Sequence, residues 1–455
     1  MQTKIKAVLF DLDGVLVEAK EIHFNSLNEA LPKKYKISWK EHLTFYDGLK
    51  TNQKLILLNE RKGLPQSEFE NIWIKKQKTT HLMLENIKAN NELKKLFKLL
   101  KKNNLKVAVC SNSIASTVKT VLKKLQLFQY IDFIASNEDV VNSKPHPEIY
   151  WKAMTQFNIY PYETLIVEDS PFGLKAASNS GACVLRVKSP KELTRELIFN
   201  FLKSPVKVFE PKWKDEKLNV VIPMAGAGSR FQKAGFTFPK PLIEIAGKPM
   251  IQIVVDNLNI DANYIFIVQN EHRNNFNLDT SLNLIAPNCK IIGIDGITDG
   301  AACTALLAKE FIDNENPVFF ANSDQFVEWS SNEFFYAMQE YGADGGIPTF
   351  KSTHPKWSFV RLDEGNNVVE VQEKNPISDM ATVGFYYFKK GSEFVKNAEE
   401  MIKANDRVNG EFYLCPVYNY LIKNKGIVKA SNIEEMWGLG TPEDLDSFLK
   451  LKFSK

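Results

Sequence analysis

The sequence predicts an α/β protein with two domains. Its 455 residues exceed what one hydrophobic core ordinarily organises. From residue 5 to about 190, short apolar runs alternate with stretches of helical periodicity, as in a parallel sheet covered by helices. Two loops, 11–16 and 226–230, each follow a strand-like run and lie in different halves of the chain. We therefore expect one domain over 1–205, a linker over 206–217 and a second domain over 218–455.

The strand candidates of the first half end in polar clusters. They cover residues 6–10, 106–110, 132–135, 164–167 and 182–187. Three of them run directly into polar groups, which are Asp11 and Asp13, then Ser111 and Asn112, then Glu168 and Asp169. Open α/β sheets bind ligands at the carboxyl ends of their strands, so we expect these groups to converge. Lys144 belongs to a fourth cluster, 144–148, which precedes a helical pattern.

These residue types suit covalent phosphoryl transfer. One carboxylate attacks phosphorus, a second acid moves a proton, further acids hold Mg²⁺, and Ser and Lys bind phosphoryl oxygens. In order and type the four clusters resemble the motifs of the haloacid dehalogenase-like hydrolases, over 1–205. The resemblance implies a parallel-sheet domain in which Asp11 is the nucleophile and Asp13 the general acid/base. It also implies that Ser111 and Asn112 bind phosphate, that Lys144 is catalytic, and that Mg²⁺ is held by Asp11, Asp13, Glu168 and Asp169.

Residues 17–88 separate the first two motifs and have a mostly helical pattern. This is the position of an α-helical cap in the family, and caps select the substrate. His23 lies at the cap entrance, as either a substrate contact or a surface residue of an amphipathic helix, and 48–51 is a candidate specificity loop. Asp13 favours phosphate ester chemistry, because the leaving oxygen must be protonated. The motifs are compatible with a phosphatase and with a phosphomutase.

Residues 204–217 break the periodicity with two prolines and several charges. Phe209 and Trp213 suggest that this linker packs on one domain. Elsewhere, lysines such as Lys101 follow an apolar stripe at helical spacing, so we interpret them as the solvent face of a helix. The stripe consists of Leu93, Leu96, Phe97 and Leu100.

The second half opens with a loop suited to a polyphosphate. A strand candidate, 218–223, runs into a segment that contains Gly226, Gly228 and Arg230, and Lys240 follows between two prolines. Glycines let backbone N–H groups approach phosphate oxygens, and a helix start behind them favours an anion. The two cations add positive charge near the same site. This combination resembles the sugar nucleotidyltransferases, as do segments 247–250, 318–324, 371–374 and 440–444.

This resemblance implies a mixed-sheet, Rossmann-like domain over 218–455. Such enzymes join a nucleoside triphosphate to a phosphorylated sugar or similar alcohol and release pyrophosphate. The resemblance also implies that the nucleotide is bound by Ala225, Gly226, Gly228, Arg230, Lys240 and Gly300. Of these residues, Arg230 and Lys240 are also expected to be catalytic. Asp324 is expected to hold Mg²⁺, and Glu373 and Lys374 are expected to meet the acceptor.

One departure from the family concerns the metal. Many relatives carry a second metal-binding acid just before the pair Gly440-Thr441, but here the residue is Gly438. Glycine has no side chain with which to bind a metal. Either Asp324, phosphates and water hold Mg²⁺, or another acid such as Glu434 or Asp444 substitutes. For Asp444 we favour helix capping and dipole stabilisation after Pro442.

Segments 381–386 and 410–413 look closest to enzymes of bacterial surface-polysaccharide precursor synthesis, and among those to cytidylyltransferases. We therefore expect CTP as the donor and a sugar or alditol phosphate as the acceptor. A phosphatase on the same chain would strip one phosphate from a bisphosphate, or act on another intermediate of the pathway. The alternatives are an N-terminal phosphomutase that feeds the second domain, or one domain that is a non-catalytic binding module.

Composition argues against other functional classes. The net charge is +4, and no basic patch with interleaved aromatics suggests nucleic-acid binding. No apolar run approaches the roughly 18 residues of a membrane span. The five cysteines form no C-x-x-C pair and no apolar signal segment opens the sequence, so we expect a cytoplasmic protein with reduced thiols.

Overall fold

The structure is a computed structural model of the chain, and it describes residues 5–47, 49–203, 211–226, 229–433 and 435–452. The chain divides into two compact units, Met1–Pro211 and Lys212–Lys455. Each unit has its own sheet.

The first unit is built on a parallel sheet. Its strands are β1 (Ala7–Phe10), β2 (Lys106–Cys110), β3 (Phe133–Ala135), β4 (Thr164–Glu168) and β5 (Cys183–Arg186). They are ordered β3-β2-β1-β4-β5, and every neighbouring pair is parallel. Each strand begins and ends within one residue of its predicted range. Because β1 lies between β2 and β4, the loop after β1 lies between the polar clusters that follow the other two strands.

Helices cover this sheet and build the cap. They are α1 (Lys20–Ala30), α2 (Trp39–Glu41), α3 (Thr51–Lys62), α4 (Phe69–Leu84), α5 (Asn91–Lys102), α6 (Ala115–Lys124), α7 (Glu148–Phe157), α8 (Pro171–Asn179) and α9 (Arg195–Lys203). Helix α5 shows why a helix can be predicted from the spacing of apolar residues. The Asn90 side chain caps its first turn, and the predicted apolar stripe is buried on one face.

The segment between β1 and β2 is the helical cap that the sequence predicts. Helices α1, α3 and α4 carry a small hydrophobic core of their own, in which Leu27, Tyr46 and Leu55 are fully buried. Because the cap has a separate core, its helices can present polar side chains toward the sheet edge without disturbing the main core.

The second unit contains a mixed sheet, as predicted. Its strands are β6 (Trp213–Pro223), β7 (Glu244–Ile245), β8 (Lys248–Pro249), β9 (Ile260–Gln269), β10 (Lys290–Ile294), β11 (Val318–Ala321), β12 (Gln325–Glu328), β13 (Gly345–Lys351), β14 (Ser358–Leu362), β15 (Val368–Glu373), β16 (Met380–Thr382), β17 (Phe385–Phe388), β18 (Val428–Asn432) and β19 (Glu435–Gly438). The main sheet has the order β10-β9-β6-β11-β17-β13-β16-β14-β15, with β18 also paired to β13. Strands β10, β9, β6 and β11 are parallel, and antiparallel pairing begins between β11 and β17. Strands β12 and β19 form a separate ribbon, as do β7 and β8.

The helices of this unit are α10 (Ser229–Lys233), α11 (Met250–Leu258), α12 (Asn270–Asn275), α13 (Leu278–Ile285), α14 (Ala301–Leu306), α15 (Lys309–Ile312), α16 (Ser331–Glu340), α17 (Gly391–Lys403), α18 (Val417–Lys423) and α19 (Pro442–Lys452). In the parts of the chain that the structure describes, no helix combines the length and the apolar character needed to cross a bilayer.

Strand β6 corrects one expectation from the sequence. The linker was expected to run to residue 217, but β6 already begins at Trp213, which pairs with Ile260 of β9. The Trp213 side chain is 8% exposed and stacks on Phe335 at a centroid distance of 5.4 Å. The charged residues that follow Trp213 continue the same strand. Phe209 lies outside the described residues.

Candidate active sites

The polar residues after β1, β2 and β4 share one edge of the first sheet. Phe10, the last residue of β1, is in register with Val109 of β2 and Val167 of β4. The residues that follow in each strand therefore meet at the carboxyl edge, as the open-sheet rule predicts. Ser111 and Asp169 are both buried there.

Lys144 connects these strand ends. Its Nζ donates to Asp11 Oδ1 at 2.6 Å, to Glu168 Oε1 at 2.6 Å and to the carbonyl oxygen of Cys110 at 2.9 Å. Burial disfavours the ammonium form, but the two carboxylates outweigh burial and raise the pKa of Lys144. Lys144 therefore remains a fixed positive charge beside Asp11.

Asp13 has a different environment from Asp11. Its Oδ2 accepts a hydrogen bond from Ser113 Oγ at 3.0 Å, and its Oδ1 lies 3.2 Å from His23 Nε2. Burial raises the pKa of Asp13, but His23 and Ser113 more than offset this and leave that pKa below its ordinary value. His23 lines the cavity beside Asp13 and is not a solvent-exposed surface residue, so its contact with the substrate stays a prediction.

Three carboxylates form a candidate metal centre. Among the described residues, the ligand atoms of Asp11, Glu168 and Asp169 all lie within 4.8 Å of one another. Burial and the neighbouring acids raise the pKa of Asp11, with Lys144 acting in the opposite direction. Asp169 Oδ1 is buried and has no hydrogen-bond partner among the described residues. An all-oxygen set with an unsatisfied buried oxygen fits a hard cation such as Mg²⁺.

Asp13, which the family resemblance also assigns to the metal, instead directs its carboxylate to His23 and Ser113.

The position of the Asp169 carboxylate, close to the loop after β1, depends on a glycine in that loop. Gly14 has a φ of +90°, and a Cβ at this position would overlap the Asp169 carboxylate.

The remaining predicted residues support this edge. Ser111 Oγ accepts a hydrogen bond from Ser113 N at 3.0 Å. Asn112 holds the Lys144 loop, since its Oδ1 accepts from Lys144 N at 3.3 Å. Tyr150 was not expected from the sequence, and its hydroxyl donates to Glu168 Oε1 at 2.6 Å.

A cavity of about 60 Å³ opens at this edge and is lined by sheet-edge and cap residues together. One water occupies roughly 10–15 Å³ on the same scale, so the space suits a phosphoryl group and a few waters. Leu49 and Thr51 of the expected specificity loop line it. Gly48 lies outside the described residues.

In the second unit, Lys240 and Asp324 lie side by side. Asp324 follows β11 in the turn to β12, and Lys240 begins a short 3-10 turn after Pro239. Lys240 Nζ donates to Asp324 Oδ2 at 2.5 Å, and each side chain is 23% exposed. A cation suited to phosphate thus lies beside a carboxylate suited to a metal, and both are accessible to solvent.

Segment 438–440 packs against Asp324. Gly438 is in register with Gln325, and Leu439 N donates to the carbonyl oxygen of Asp324 at 2.7 Å. A Cβ at Gly440 would lie 2.7 Å from Asp324 Oδ2, whereas a Cβ at Gly438 would lie 3.5 Å from Asp444 Oδ2. The two glycines therefore lie close to two different carboxylates.

Asp444 does not supply the helix cap that we favoured from the sequence, but it lies in the first turn of α19, where a carboxylate stabilises the helix dipole as we expected. Its backbone N–H donates to Thr441 Oγ1 at 3.1 Å, so Thr441 is the capping residue of α19. The Asp444 side chain belongs to the first turn and lies 3.7 Å from Lys356 Nζ. Glu434, the other acid considered, lies outside the described residues.

The glycine-rich loop is held from one side by Gln269 at the end of β9. Gln269 Nε2 donates to the carbonyl oxygen of Ala225 at 2.5 Å and to that of Gly296 at 2.7 Å. Gly226 is exposed, and nothing lies within 4 Å of a Cβ built there. Arg230 is exposed on α10. Gly228 lies outside the described residues.

Gly300 has a packing role. Its φ is +127°, and a Cβ would overlap the backbone of Phe412. Phe412 N donates to the Asp299 carbonyl oxygen at 2.8 Å, and Ala302 N donates to that of Phe412 at 3.0 Å. Glycine is thus needed for the close approach of two backbone segments.

Glu373 and Lys374 differ in exposure. Glu373 is buried at the end of β15, where Ser358 Oγ donates to its carboxylate, and burial raises the Glu373 pKa. Lys374 is exposed with a φ of +56°, and its ammonium lies 4.4 Å from the centre of the Tyr413 ring, whose hydroxyl it contacts. Lys374 N also donates to the Trp357 carbonyl oxygen at 2.9 Å.

Comparison with known proteins agrees with both halves. The family model of haloacid dehalogenase-like hydrolases matches residues 8–187, and the nucleotidyl transferase model matches residues 219–430. Each half of the chain therefore matches the model of a different family. Both resemblances drawn from the sequence are confirmed.

The hydrolase domain is 26% identical over 190 residues to the phosphorylated carbohydrates phosphatase of Thermotoga maritima, a match that covers 39% of this chain and 82% of that protein. The nucleotidyl transferase domain is 30% identical over 232 residues to the bifunctional protein GlmU of Methanocaldococcus jannaschii. That match covers 50% of this chain and 52% of GlmU, so the chain spans about half of that relative. Among solved structures, the nucleoside-diphosphate-sugar pyrophosphorylase of Vibrio cholerae RC9 has 26% identity and a TM-score of 0.45, over 51% of this chain and 99% of that one.

Several residues at these sites carry no signal that the sequence reveals. In the hydrolase domain, Lys20 Nζ lies 2.8 Å from Asp169 Oδ2, and Lys54 and Lys76 line the cavity. Lysines in helical segments ordinarily indicate a solvent face, so only the fold brings these three inward. Ser113 is a further site residue that was not predicted, but the sequence could have indicated it, because it directly follows the predicted phosphate-binding residues Ser111 and Asn112.

Proposed function

We propose that the hydrolase domain is a Mg²⁺-dependent phosphatase of small phosphorylated metabolites. The observation that carries this proposal is the pair of aspartates at the end of β1 in contrasting environments, with Lys144 fixed beside Asp11 and His23 beside Asp13. A nucleophile and an acid/base need different surroundings, and the two aspartates have different neighbours. Asp11, Glu168 and Asp169 would hold Mg²⁺, which supplies positive charge to the phosphoryl oxygens.

In the proposed reaction, a carboxylate oxygen of Asp11 attacks phosphorus and the bond from phosphorus to the ester oxygen breaks. Asp13 gives its proton to the leaving alcohol. Water then attacks the aspartyl phosphate, Asp13 takes a proton from that water, and inorganic phosphate and free Asp11 result. Lys144 opposes the burial that raises the pKa of Asp11, and its hydrogen bond orients the Asp11 carboxylate.

The test is phosphate release by the purified full chain from a panel of sugar and alditol phosphates, with Mg²⁺ and with a chelator. Release that requires Mg²⁺ supports the proposal. A phosphomutase would show itself by isomerising a sugar phosphate and by requiring a bisphosphate activator. Isomerisation without net phosphate release would contradict the phosphatase assignment.

We propose that the second domain transfers a nucleotidyl group, from CTP, to a sugar or alditol phosphate. An oxygen of the acceptor phosphate attacks the α-phosphorus, and the bond to the β-phosphate breaks, so that pyrophosphate leaves. The Lys240–Asp324 pair carries the proposal, because it puts a cation for the phosphates beside an acid for Mg²⁺. Arg230 and backbone N–H groups near Gly226 would bind the triphosphate, and Lys374 would bind the acceptor.

The choice of CTP rests on the resemblance of segments 381–386 and 410–413 to cytidylyltransferases of surface-polysaccharide precursor synthesis. Both reactions would then belong to one cytoplasmic pathway, in keeping with five cysteines that are all free. The experiment crosses the four common ribonucleoside triphosphates with sugar and alditol phosphates and measures pyrophosphate release and the nucleotide-linked product. Asp324→Ala should abolish both signals. Robust turnover by this variant, or no pyrophosphate from any combination, would contradict the assignment.

A further inference from the structure

Two lysines of the cap are buried and face the phosphatase cavity. Lys54 on α3 and Lys76 on α4 are each 5% exposed, and both line the cavity together with Asp13 and His23. Within the described residues, neither ammonium group forms a hydrogen bond or an ion pair. A lysine normally keeps its charged end in bulk water, so two such groups beside each other are unusual.

The charges that bear on these lysines do not neutralise them. Burial and the neighbouring Lys54 together lower the pKa of Lys76 to about 7, with Asp13 acting in the opposite direction. Asp13 and Asp47 act in the opposite direction on Lys54, but burial outweighs them and the Lys54 pKa is also lowered. Both carboxylates have partners already, since Asp13 contacts His23 and Ser113 and Asp47 lies 3.5 Å from Lys20.

A buried, unpaired ammonium group is costly unless an anion joins it. The phosphoryl group that is cleaved has its own cation, because Lys144 lies beside the nucleophile. The cap lysines line the same cavity but belong to the cap helices α3 and α4, whereas Lys144 lies in the loop before α7. Neutral hydrogen-bonding groups lie beside them, as Gln77 Nε2 donates to Thr51 Oγ1 at 3.5 Å. Among the described residues, no carboxylate forms an ion pair with either of these two ammonium groups.

We propose that Lys54 and Lys76 bind a second anionic group of the phosphatase substrate. The substrate class is then a small metabolite that carries a phosphate or a carboxylate in addition to the phosphoryl group transferred to Asp11. This inference rests on the proposed phosphatase activity and narrows its substrate. Binding of the anion offsets positive charge of the two ammonium groups and favours their charged form.

The experiment compares matched substrates on the full chain. Fructose 1,6-bisphosphate is set against fructose 6-phosphate, and 3-phosphoglycerate against glycerol 3-phosphate, with kcat/KM for phosphate release as the measured quantity. The first pair tests a second phosphate and the second pair tests a carboxylate. We expect at least about a tenfold preference for the member with the extra anion in one pair, since a hydrogen bond to a charged group is worth 10- to 100-fold.

Lys54→Met and Lys76→Met keep an apolar stem of similar length and remove the charge. Each should lower the preference ratio about tenfold or more. Lys75→Met is the matched control, because Lys75 is the exposed neighbour of Lys76 on the same helix. It should leave the ratio unchanged. Equal losses on both members of each pair would overturn the inference and would mean that the lysines act through Asp13 or the transferred phosphoryl group.

A binding measurement separates this inference from the activity that it assumes. In the Asp11→Asn chain, calorimetric titration should show tighter binding of the doubly anionic member, and Lys76→Met should remove the difference. If the wild type releases no phosphate but this binding preference is present, the phosphatase proposal fails and the anion site stands. If neither substrate pair shows a preference in binding, the anion site is wrong.

Discussion

At the scale of single residues, the glycines at 438 and 440 differ in what an added methyl group would meet. At Gly440 the Cβ would lie 2.7 Å from Asp324 Oδ2, which is too close, so that carboxylate would have to move away from Lys240. At Gly438 the nearest atom is Asp444 Oδ2 at 3.5 Å, an ordinary contact distance. We expect Gly440→Ala to lower nucleotidyl transfer about a hundredfold, as small displacements of positioned groups do, and Gly438→Ala to have little effect.

The two alanine variants are each other's control, measured by pyrophosphate release and by thermal unfolding. Because the displaced atom in Gly440→Ala is the end of a side chain, both variants should unfold at nearly the wild-type temperature. A loss of activity that is equal in the two variants would contradict this reading of the site.

The residue missing from the family pattern gives a second prediction. Gly438→Asp restores the acid found in many relatives, but it adds a carboxylate close to Asp444 and the Trp357 ring, which lies 3.8 Å from the built Cβ. Like charges at this distance repel, so we expect no gain in nucleotidyl transfer. The measurement is the Mg²⁺ dependence of pyrophosphate release. A clear gain in activity, with a lower Mg²⁺ requirement, would show that the chain lacks a ligand at this position.

The nucleophile of the hydrolase domain gives a third prediction. Asp11→Asn removes the attacking charge but keeps an oxygen that can accept the hydrogen bond from Lys144. Phosphate release should fall at least about a thousandfold, as in other sites where the nucleophile acts in concert with its neighbours. The measurement uses a sample free of contaminating phosphatases. Release at the wild-type rate would rule out an aspartyl phosphate intermediate.

The sequence could predict residues whose chemistry follows a strand end. Asp11, Ser111 and Asp169 were found because a parallel sheet brings the ends of adjacent strands together. Lys54 and Lys76 could not be found, because nothing local distinguishes them from neighbours such as exposed Lys75. Their burial results from packing of the cap, which depends on contacts between residues far apart in the chain.

At the scale of elements, the start of β6 gives a further prediction. Trp213 is buried against Phe335 in a segment that the sequence assigns to the linker. Trp213→Ala should destabilise the second unit by about 3 kcal/mol or more, since large aromatic side chains removed from cores cost 3–5 kcal/mol. For a unit of this size, that lowers the unfolding temperature by about 6–12 °C.

The matched control is Lys214→Ala on the next residue of β6. Lys214 is exposed, and its ion pair with Asp261, at 3.6 Å, is also exposed, so we expect almost no change in unfolding temperature. Equal stability of the two variants in a thermal scan would contradict the assignment of Trp213 to the core of the second unit.

The elements themselves were largely predictable. The five strands of the first sheet and helix α5 follow from apolar periodicity alone, because each buries one continuous face or run. The beginning of β6 was not, since the charged residues 214–217 resemble a linker, whereas in the structure they continue a strand that begins at the buried Trp213 and pairs with β9. Local pattern thus fails where contacts between residues far apart in the chain determine the structure.

At the scale of the whole molecule, each proposed site is complete within one compact unit. Asp11, Lys144 and Asp169 belong to the unit Met1–Pro211, and Lys240 and Asp324 belong to Lys212–Lys455. Since neither constellation takes a residue from the other unit, the two reactions should be separable. Asp11→Asn should leave nucleotidyl transfer at the wild-type rate, and Asp324→Ala should leave phosphate release at the wild-type rate.

The sharper form of this prediction uses fragments that differ only at the start of β6. A fragment of residues 212–455 retains Trp213 and should fold and form nucleotide product unaided. A fragment of residues 218–455 lacks Trp213 and the strand residues that follow it, so we expect it to unfold at a lower temperature. Solubility, thermal unfolding and pyrophosphate release are compared for both. A soluble but inactive 212–455 fragment would mean that residues of the first unit complete the nucleotidyl transferase site, and an insoluble one would mean that the second unit needs the first in order to fold.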